Sequence, residues 1–320
     1  MVDPETAGLP TEESCWARSS LRSLSHSLRE AGHRVGRMTV GRLLRERGYS
    51  LRGHRKEKEA GSAHPDRDRQ FRYLQSQVQA FQAAGHPVVS VDTKKKELIG
   101  EFKRAGRAWC QEAPEVRVHD FLGEAEGRAV PYGIYDLTHN QGSVFLGESA
   151  DTPEFAVEAL ARWWEAEGRP RYPEAPALLI LADSGGSNGC HPRAWKRFLQ
   201  ERLCDRWDLS VTVCHYPRGC SKYNPIEHRL FGPISKNWEG KLLSSFEHLL
   251  AYLRGTTNRT GLQVTATRLS GEYPKGQKVT DAEMAALSLQ PHAVCPAWNY
   301  TFRPRSALEP ALRPEVVLGR

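Results

Sequence analysis

No run of apolar residues in this 320-residue chain approaches the roughly 20 needed to span a bilayer. A membrane-crossing helix is therefore not expected. The opening residues, "MVDPETAGLPTEESC", lack the basic start and apolar stretch of a secretory signal, so the chain reads as soluble and intracellular. Its seven cysteines are an odd number, and no two form a CxxC pair. Cys204, Cys214 and Cys220, with His191 and His215 near them, match no compact zinc spacing. They read as reduced, scattered thiols of a cytosolic protein. There is no internal repeat and no long low-complexity segment. A GxSxG elbow is missing, which weakens a serine-hydrolase reading, and so is the GxxxxGK of a P-loop. Acidic residues are outnumbered, 38 against 45 Lys and Arg, for a net charge of +7. That balance favours an anionic partner, nucleic acid first and an acidic membrane surface second.

The length suggests about two domains, and 39% hydrophobic residues allow a substantial core. "SLRSLSHSLREA" carries Leu21, Leu24 and Leu28 at helical spacing, and "TVGRLLRERG" reads as a second short helix. There Val40, Leu43 and Leu44 are expected to face inward, with Gly48 ending the helix. Two short helices around the turn "GHRVGRM" suggest a helix-turn-helix. Between Arg18 and Lys58 basic residues outnumber acidic ones roughly four to one, the footprint expected for phosphate contacts. Arg37, Arg42 and Arg45 are its candidate DNA-binding residues; a helical hairpin with a solvated basic face is the plainer alternative. Beyond a polar linker the order changes to strands and helices: strand 88–93, a hairpin 129–137/142–148 around "THNQ", and a helix from Thr152 as N-cap with Pro153 first. Then come the apolar strand "ALLILAD", a helix over 193–207, strand 209–216 and a helix from Asn224. In "AWNYTFRPR", Trp298, Tyr300 and Phe302 alternate like an edge strand.

Three acidic residues carry the candidate chemistry. Asp92 ends the strand in "PVVSVDTKKKELIG", and Asp183 ends "ALLILAD" before "SGGSNG". Either alone is explained by capping the following turn. Together, at the ends of adjacent parallel strands, two carboxylates repel and lose hydration, and a proton or a cation must intervene. Magnesium suits such oxygen donors. Glu227 falls at the third position of the helix that Asn224 and Pro225 begin, where it can close a capping box. Its neighbours three, four and seven residues on are Leu230, Phe231 and Ile234, the apolar side. Three carboxylates around two magnesium ions suit in-line phosphoryl transfer. Lys94, Lys95 and Lys96 near Asp92, and Lys222 and Arg229 near Glu227, are candidate contacts to a phosphate backbone; solvated surface charge is the plain reading of each. His119, His139, His215 and His228 are expected to be structural or at the surface. "SGGSNG" reads as a flexible loop that lets nucleic acid approach Asp183.

The order strand-Asp, hairpin, helix, strand-Asp, helix, strand, helix-Glu resembles an RNase H-like core. More specifically, "VVSVDTKKKELIGEF", "PYGIYDL", "LLILADSGGSNG", "SKYNPIEHRLF" and "GLQVTATRLSGEYPKGQKV" resemble DDE insertion-sequence transposases of the ISAzo type, over roughly residues 20 to 303. The resemblance implies an α/β fold: an RNase H-like core with a mixed central sheet flanked by helices, preceded by a small all-α helix-turn-helix domain. The chain is expected to divide into a tail (1–16), a helix-turn-helix domain (17–52), a linker and connecting helix (53–84), the RNase H-like catalytic core (85–254) and a C-terminal extension packing on the core (255–320). The resemblance implies Asp92, Asp183 and Glu227 as catalytic, metal-holding triad, two Mg2+ ions for which Mn2+ substitutes, cleavage at element ends and transfer of the freed 3′-OH. The partners implied are double-stranded DNA, as terminal repeats and as target, and further copies of the chain assembled on it in a bacterial cytoplasm, at the nucleoid. Family members usually carry a further N-terminal helical segment before the "DPE" region, where this chain begins, so recognition of element ends is expected to be weakened. Two alternatives stand beside this reading: a non-catalytic DNA-binding repressor, and a nuclease that cuts without joining.

Overall fold

The computed structural model describes residues 6–7, 16–17, 20–50, 64–107, 110–117, 119 and 121–305. The chain divides into two units, Met1–Gly61 and Ser62–Arg320. The expected tail and linker fall largely outside the described residues. No described helix is long and apolar enough to cross a membrane.

In the first unit, β1 (Thr6–Ala7) pairs with β2 (Trp16–Ala17), and α1 (Leu21–Glu30) is followed by α2 (Arg37–Glu46). Ser20 caps α1 by accepting from Ser23 N–H at 3.1 Å. Leu24 and Val40 are buried, but Leu43, expected to face inward, is 41% exposed. The reason is Gly41: a Cβ there would lie 3.3 Å from Leu21. The helices touch along Val40 and Gly41, which turns Leu43 outward. Arg37, Arg42 and Arg45 are all exposed.

The second unit begins with α3 (Arg67–Ala83) and is built on one mixed sheet. Its strands are β3 (Val88–Thr93), β4 (Glu97–Ile99), β5 (Gly127–Asp136), β6 (Gln141–Gly147), β7 (Ala177–Asp183), β8 (Ser210–Tyr216), β9 (Gln263–Leu269), β10 (Leu289–Pro291) and β11 (Asn299–Phe302). The order is β10-β11-β8-β7-β3-β5-β6-β9, with β4 on β5. β3, β5 and β6 form an antiparallel meander, and β7 and β8 continue parallel to β3. Central strands covered on both faces need continuous apolar runs, which is what "VVSV" and "ALLILA" supply.

One face carries Val89, Val91, Ile180 and Val213 under α4 (Pro153–Trp163) and α6 (Arg193–Phe198), with Trp163 and Trp195 fully buried between them. Thr152 caps α4 by accepting from Phe155 N–H at 3.3 Å. α4 runs through a π turn (Trp164–Gly168) into α5 (Arg169–Arg171), and α6 through another (Leu199–Cys204) into α7 (Asp205–Trp207). The other face is covered over β7 and β8 by α3, through Leu74. Over β5, β6 and β9 it is covered by the helix containing Glu227, by α8 (Gly232–Trp238) and by α9 (Phe246–Arg254). α10 (Asp281–Ala285) opens with a capping box from Thr280 to Glu283.

Residues 255–305 do more than pack on the core. β9 and β11 are members of the sheet, and β11 is not an edge strand: it lies between β10 and β8, with Tyr300 and Phe302 buried. Alternation of aromatics marks a strand but does not say what pairs with its far edge.

Candidate active site

β3 and β7 are adjacent and parallel, with Val91 opposite Ala182. The next residues, Asp92 and Asp183, therefore stand side by side at the carboxyl ends, strands about 4.8 Å apart. Val89 and Val91 face α4, so Asp92 faces the opposite side, as does Asp183 next to Ala182. Both carboxyls are partly buried. Burial first, and then the neighbouring Asp183, push the Asp92 carboxyl up to about 8; Thr93 N–H, donating at 2.7 Å, opposes this. Burial also raises Asp183, with Glu227 adding to it, while Asn224 Nδ2 donates to Asp183 Oδ1 at 3.1 Å and pulls the other way.

Asn224 is fully buried and does not act as the helix cap that its position before Pro225 suggests. Its Oδ1 accepts from Ser90 Oγ on β3, and Ser90 Oγ accepts from Ile226 N–H at 3.1 Å. Ser90 and Asn224 thus tie the start of the Glu227 helix to both aspartate strands. Glu227 opens a π turn, Glu227–Phe231, a feature frequent at functional sites. Two glycines let this helix lie close. Gly133 is opposite Asp92 in the sheet, and a Cβ there would come within 2.5 Å of Phe231. A Cβ on Gly142 would come within 2.3 Å of Leu230.

Asp92 and Asp183 line a cavity of about 650 Å³ with Thr93, Asp151, "SGGSN" and the turn after β8. Asp151, which no pattern in the sequence tied to this place, accepts from Thr93 Oγ1 at 3.0 Å. Ser90 and Gly133 were likewise missed, and Asn224 was read only as the start of a helix. The adjacent, half-buried carboxylates fit a divalent cation's preference for oxygen donors, because burial disfavours ionisation of both and the charge of Asp183 adds to this at Asp92. Glu227 is near enough for its charge to act on both. Among the described residues, however, no three His, Cys, Asp or Glu side chains close into a metal-sized cluster. The structure brings the aspartates together and leaves Glu227 at the margin, outside the cavity lining.

A family model described as the Rhodopirellula transposase DDE domain matches residues 1–304. The chain belongs to this family. No curated protein matches it. Among solved structures, the Mos1 transposase paired-end complex with the left transposon end aligns at 16% identity, over 73% of this chain and 65% of the Mos1 chain, with a TM-score of 0.44. A Mos1 mariner paired-end complex with Mn gives 16%, 73%, 65% and 0.43, and the Mos1 strand transfer complex 16%, 73%, 65% and 0.44. The chain spans about 65% of the length of these Mos1 chains.

In this DDE-family chain the bases around the site differ in placement. Lys95 and Lys96 are exposed, as are Lys222 and Arg229. Lys94 instead folds back, its Nζ 4.8 Å from the centre of the Trp238 ring and 3.9 Å from Glu97 Oε1, and burial lowers its pKa. His215 is fully buried: Nδ1 lies 2.9 Å from the Asp183 carbonyl oxygen and Nε2 2.8 Å from Tyr300 Oη. Trp195 Nε1 donates to the same hydroxyl at 3.2 Å. His215 thus braces the Asp183 strand end. His139 sits at the hairpin turn, and His228 is bonded to the Lys222 carbonyl.

Proposed function

We propose that this chain is a transposase that cleaves DNA at element ends and joins the freed 3′-OH to target DNA, with Asp92, Asp183 and Glu227 as its acidic triad. The observation that carries the reading is the pair of raised-pKa carboxylates at adjacent parallel strand ends, inside a cavity and under the Glu227 helix. Asp92 and Asp183 would hold a divalent cation, Mg2+ or Mn2+, with Glu227 closing toward them; two ions are the expected complement. When bound, the cation supplies charge neutralisation at the phosphodiester and a lowered pKa for the attacking water or hydroxyl. The chain's own residues do the rest. Ser90 and Asn224 hold Asp183 and the Glu227 helix in one frame, Thr93 fixes Asp92 and Asp151, and the glycine loop leaves room for a strand. Exposed Lys95, Lys96, Lys222 and Arg229 attract the backbone. Arg37, Arg42 and Arg45 on α2 are assigned to DNA recognition, and copies of the chain assemble on paired ends.

The test is strand transfer with terminal-inverted-repeat DNA in Mg2+ or Mn2+. Cleaved ends and joined products are expected from the native chain and neither from Asp92→Asn. Full activity in Asp92→Asn removes the site assignment. Binding without any nick identifies a DNA-binding repressor, the reading favoured by Glu227 standing outside the cavity. Cut ends without joined product identify a nuclease.

A further inference from the structure

The two sides of the cavity carry opposite chemistry. Asp92 is the last residue but one of β3 and Asp183 ends β7, while β8 lies on the far side of β7. The loops that leave β7 and β8 close the cavity there. Both contribute an exposed base: His191 from the first and Arg218 from the second. Arg218 Nη2 lies 3.0 Å from His191 Nε2. A guanidinium only donates, so Nε2 accepts and the imidazole proton resides on Nδ1, free to be donated elsewhere. Asn188 lines the same cavity and is 1% exposed, and its Nδ2 has no acceptor among the described residues. Between them the loop is bare. A Cβ on Gly185 or Gly186 would meet nothing within 4 Å, and Gly186 has a φ of +75°. The loop is drawn back by Gly189 N–H donating to Gly186 O and Cys190 N–H to Ser184 O, both at 3.3 Å.

A buried amide donor without an acceptor is costly. Here it belongs to a wall whose other groups also donate. Such a wall selects an acceptor-rich anion and opposes a cation, the reverse of the aspartate side. We propose that Arg218, His191 and Asn188 form a phosphate-binding wall that holds the phosphodiester adjoining the one on which the carboxylates act. The identity of that phosphodiester rests on the DNA-cleavage reading; the anion-binding wall does not. A strand laid across the cavity has one phosphate at each side, and this fixes which bond faces Asp92 and Asp183. Arg218 supplies the charge. Asn188 supplies a neutral donor that fixes position.

The test uses the full chain carrying D92N, so that no DNA is cut, and R37A/R42A/R45A, so that α2 does not mask the effect. Binding of a fluorescent duplex is measured in EDTA across a range of NaCl. Adding Arg218→Ala is expected to weaken binding about tenfold at low salt and to flatten the salt slope by about 0.9, the loss of one phosphate contact. Arg218→Lys restores the slope but only part of the affinity. Asn188→Ala lowers affinity without changing the slope. Native affinity and slope in both Arg218→Ala and His191→Ala overturn the proposal; both side chains are exposed, so this outcome does not depend on whether an Asn188 variant folds. A native chain that binds through Arg218 yet never cuts DNA keeps the wall and removes the cleavage reading. A chain that cuts DNA, with Arg218→Ala unaffected in binding, does the reverse.

Discussion

The sheet of the second unit holds aspartates at both ends, fully buried at one and half-buried at the other, and the two ends are treated in opposite ways. Asp136 ends β5 opposite Val89, away from Asp92. It is 1% exposed. Arg171 Nη1 donates to it at 3.0 Å, Tyr172 Oη at 3.0 Å, and the Thr138 and His139 amides at 3.0 and 3.2 Å. Both carboxylate oxygens have donors, and the charge has a counter-ion. Asp92, at the other end, has one donated bond from its own neighbour and three acidic residues acting on it. A compensated carboxylate holds a structure together. An uncompensated one is held in readiness for a cation or a proton.

The difference can be broken most sharply at Asp92. Asp92→Asn is expected to lower DNA cleavage on the order of a thousandfold or more. It should also stabilise the metal-free protein by about 1 kcal/mol or more, since each pKa unit removed is about 1.4 kcal/mol. Denaturant titration beside a cleavage assay reads both, and a destabilised variant would mean that Asp92 is a structural residue like Asp136. At the opposite end, Arg171→Ala leaves Asp136 buried without its counter-ion. A loss of about 3–5 kcal/mol is expected, with cleavage retained in the molecules that fold. Gly133→Ala sharpens the comparison. Its new methyl meets Phe231 and Ile226, costs about 1–3 kcal/mol, and lifts the Glu227 helix. Cleavage should fall further than stability does, whereas an equal fall would make Gly133 a packing residue only.

Acidity separates the two ends more gently. The unfolded chain ionises Asp92 near 3.8, whereas the folded metal-free protein keeps that proton to about 8. Between those values the folded state binds more protons, so rising pH favours unfolding through this site. Stabilisation by added Mg2+ should therefore grow from about pH 5 to about pH 8; calorimetric melts showing no such growth would separate Asp92 from the metal. The smallest effect belongs to His215. Burial lowers it to about 4 from 6.5, so the unfolded chain takes up a proton first and stability falls as pH drops through that window. His215→Gln should flatten this acid limb in the same melts.

How far the molecule was legible from residue order differs from element to element. "VVSV" and "ALLILA" read as buried strands because a strand covered on both faces leaves no polar position. Thr152-Pro153 reads as a helix start because both residues act within one turn. Leu43 misled, because its orientation depends on Gly41 admitting Leu21. Asn224 misled as well: a capping sequence is local, and its amide was taken by Ser90 and Asp183, 134 and 41 positions away in the chain. Asp151 and the Arg218–His191 pair carry no local signal. Lys94 is one of three consecutive lysines, and only the position of Trp238 sets it apart from the exposed pair.

By itself the sequence determined that β3 and β7 are buried strands, that each carries an aspartate at its carboxyl end, and that an excess of basic charge calls for an anionic partner. Those properties follow from backbone periodicity, transfer of apolar side chains from water, and simple charge. Only the tertiary structure decided that the two strands are neighbours and parallel, that Asp136 has a cationic partner where Asp92 has acidic neighbours, and that the loops after β7 and β8 set donors across from acids. Desolvation and Coulomb coupling depend on distance in space, and chain order does not carry that distance.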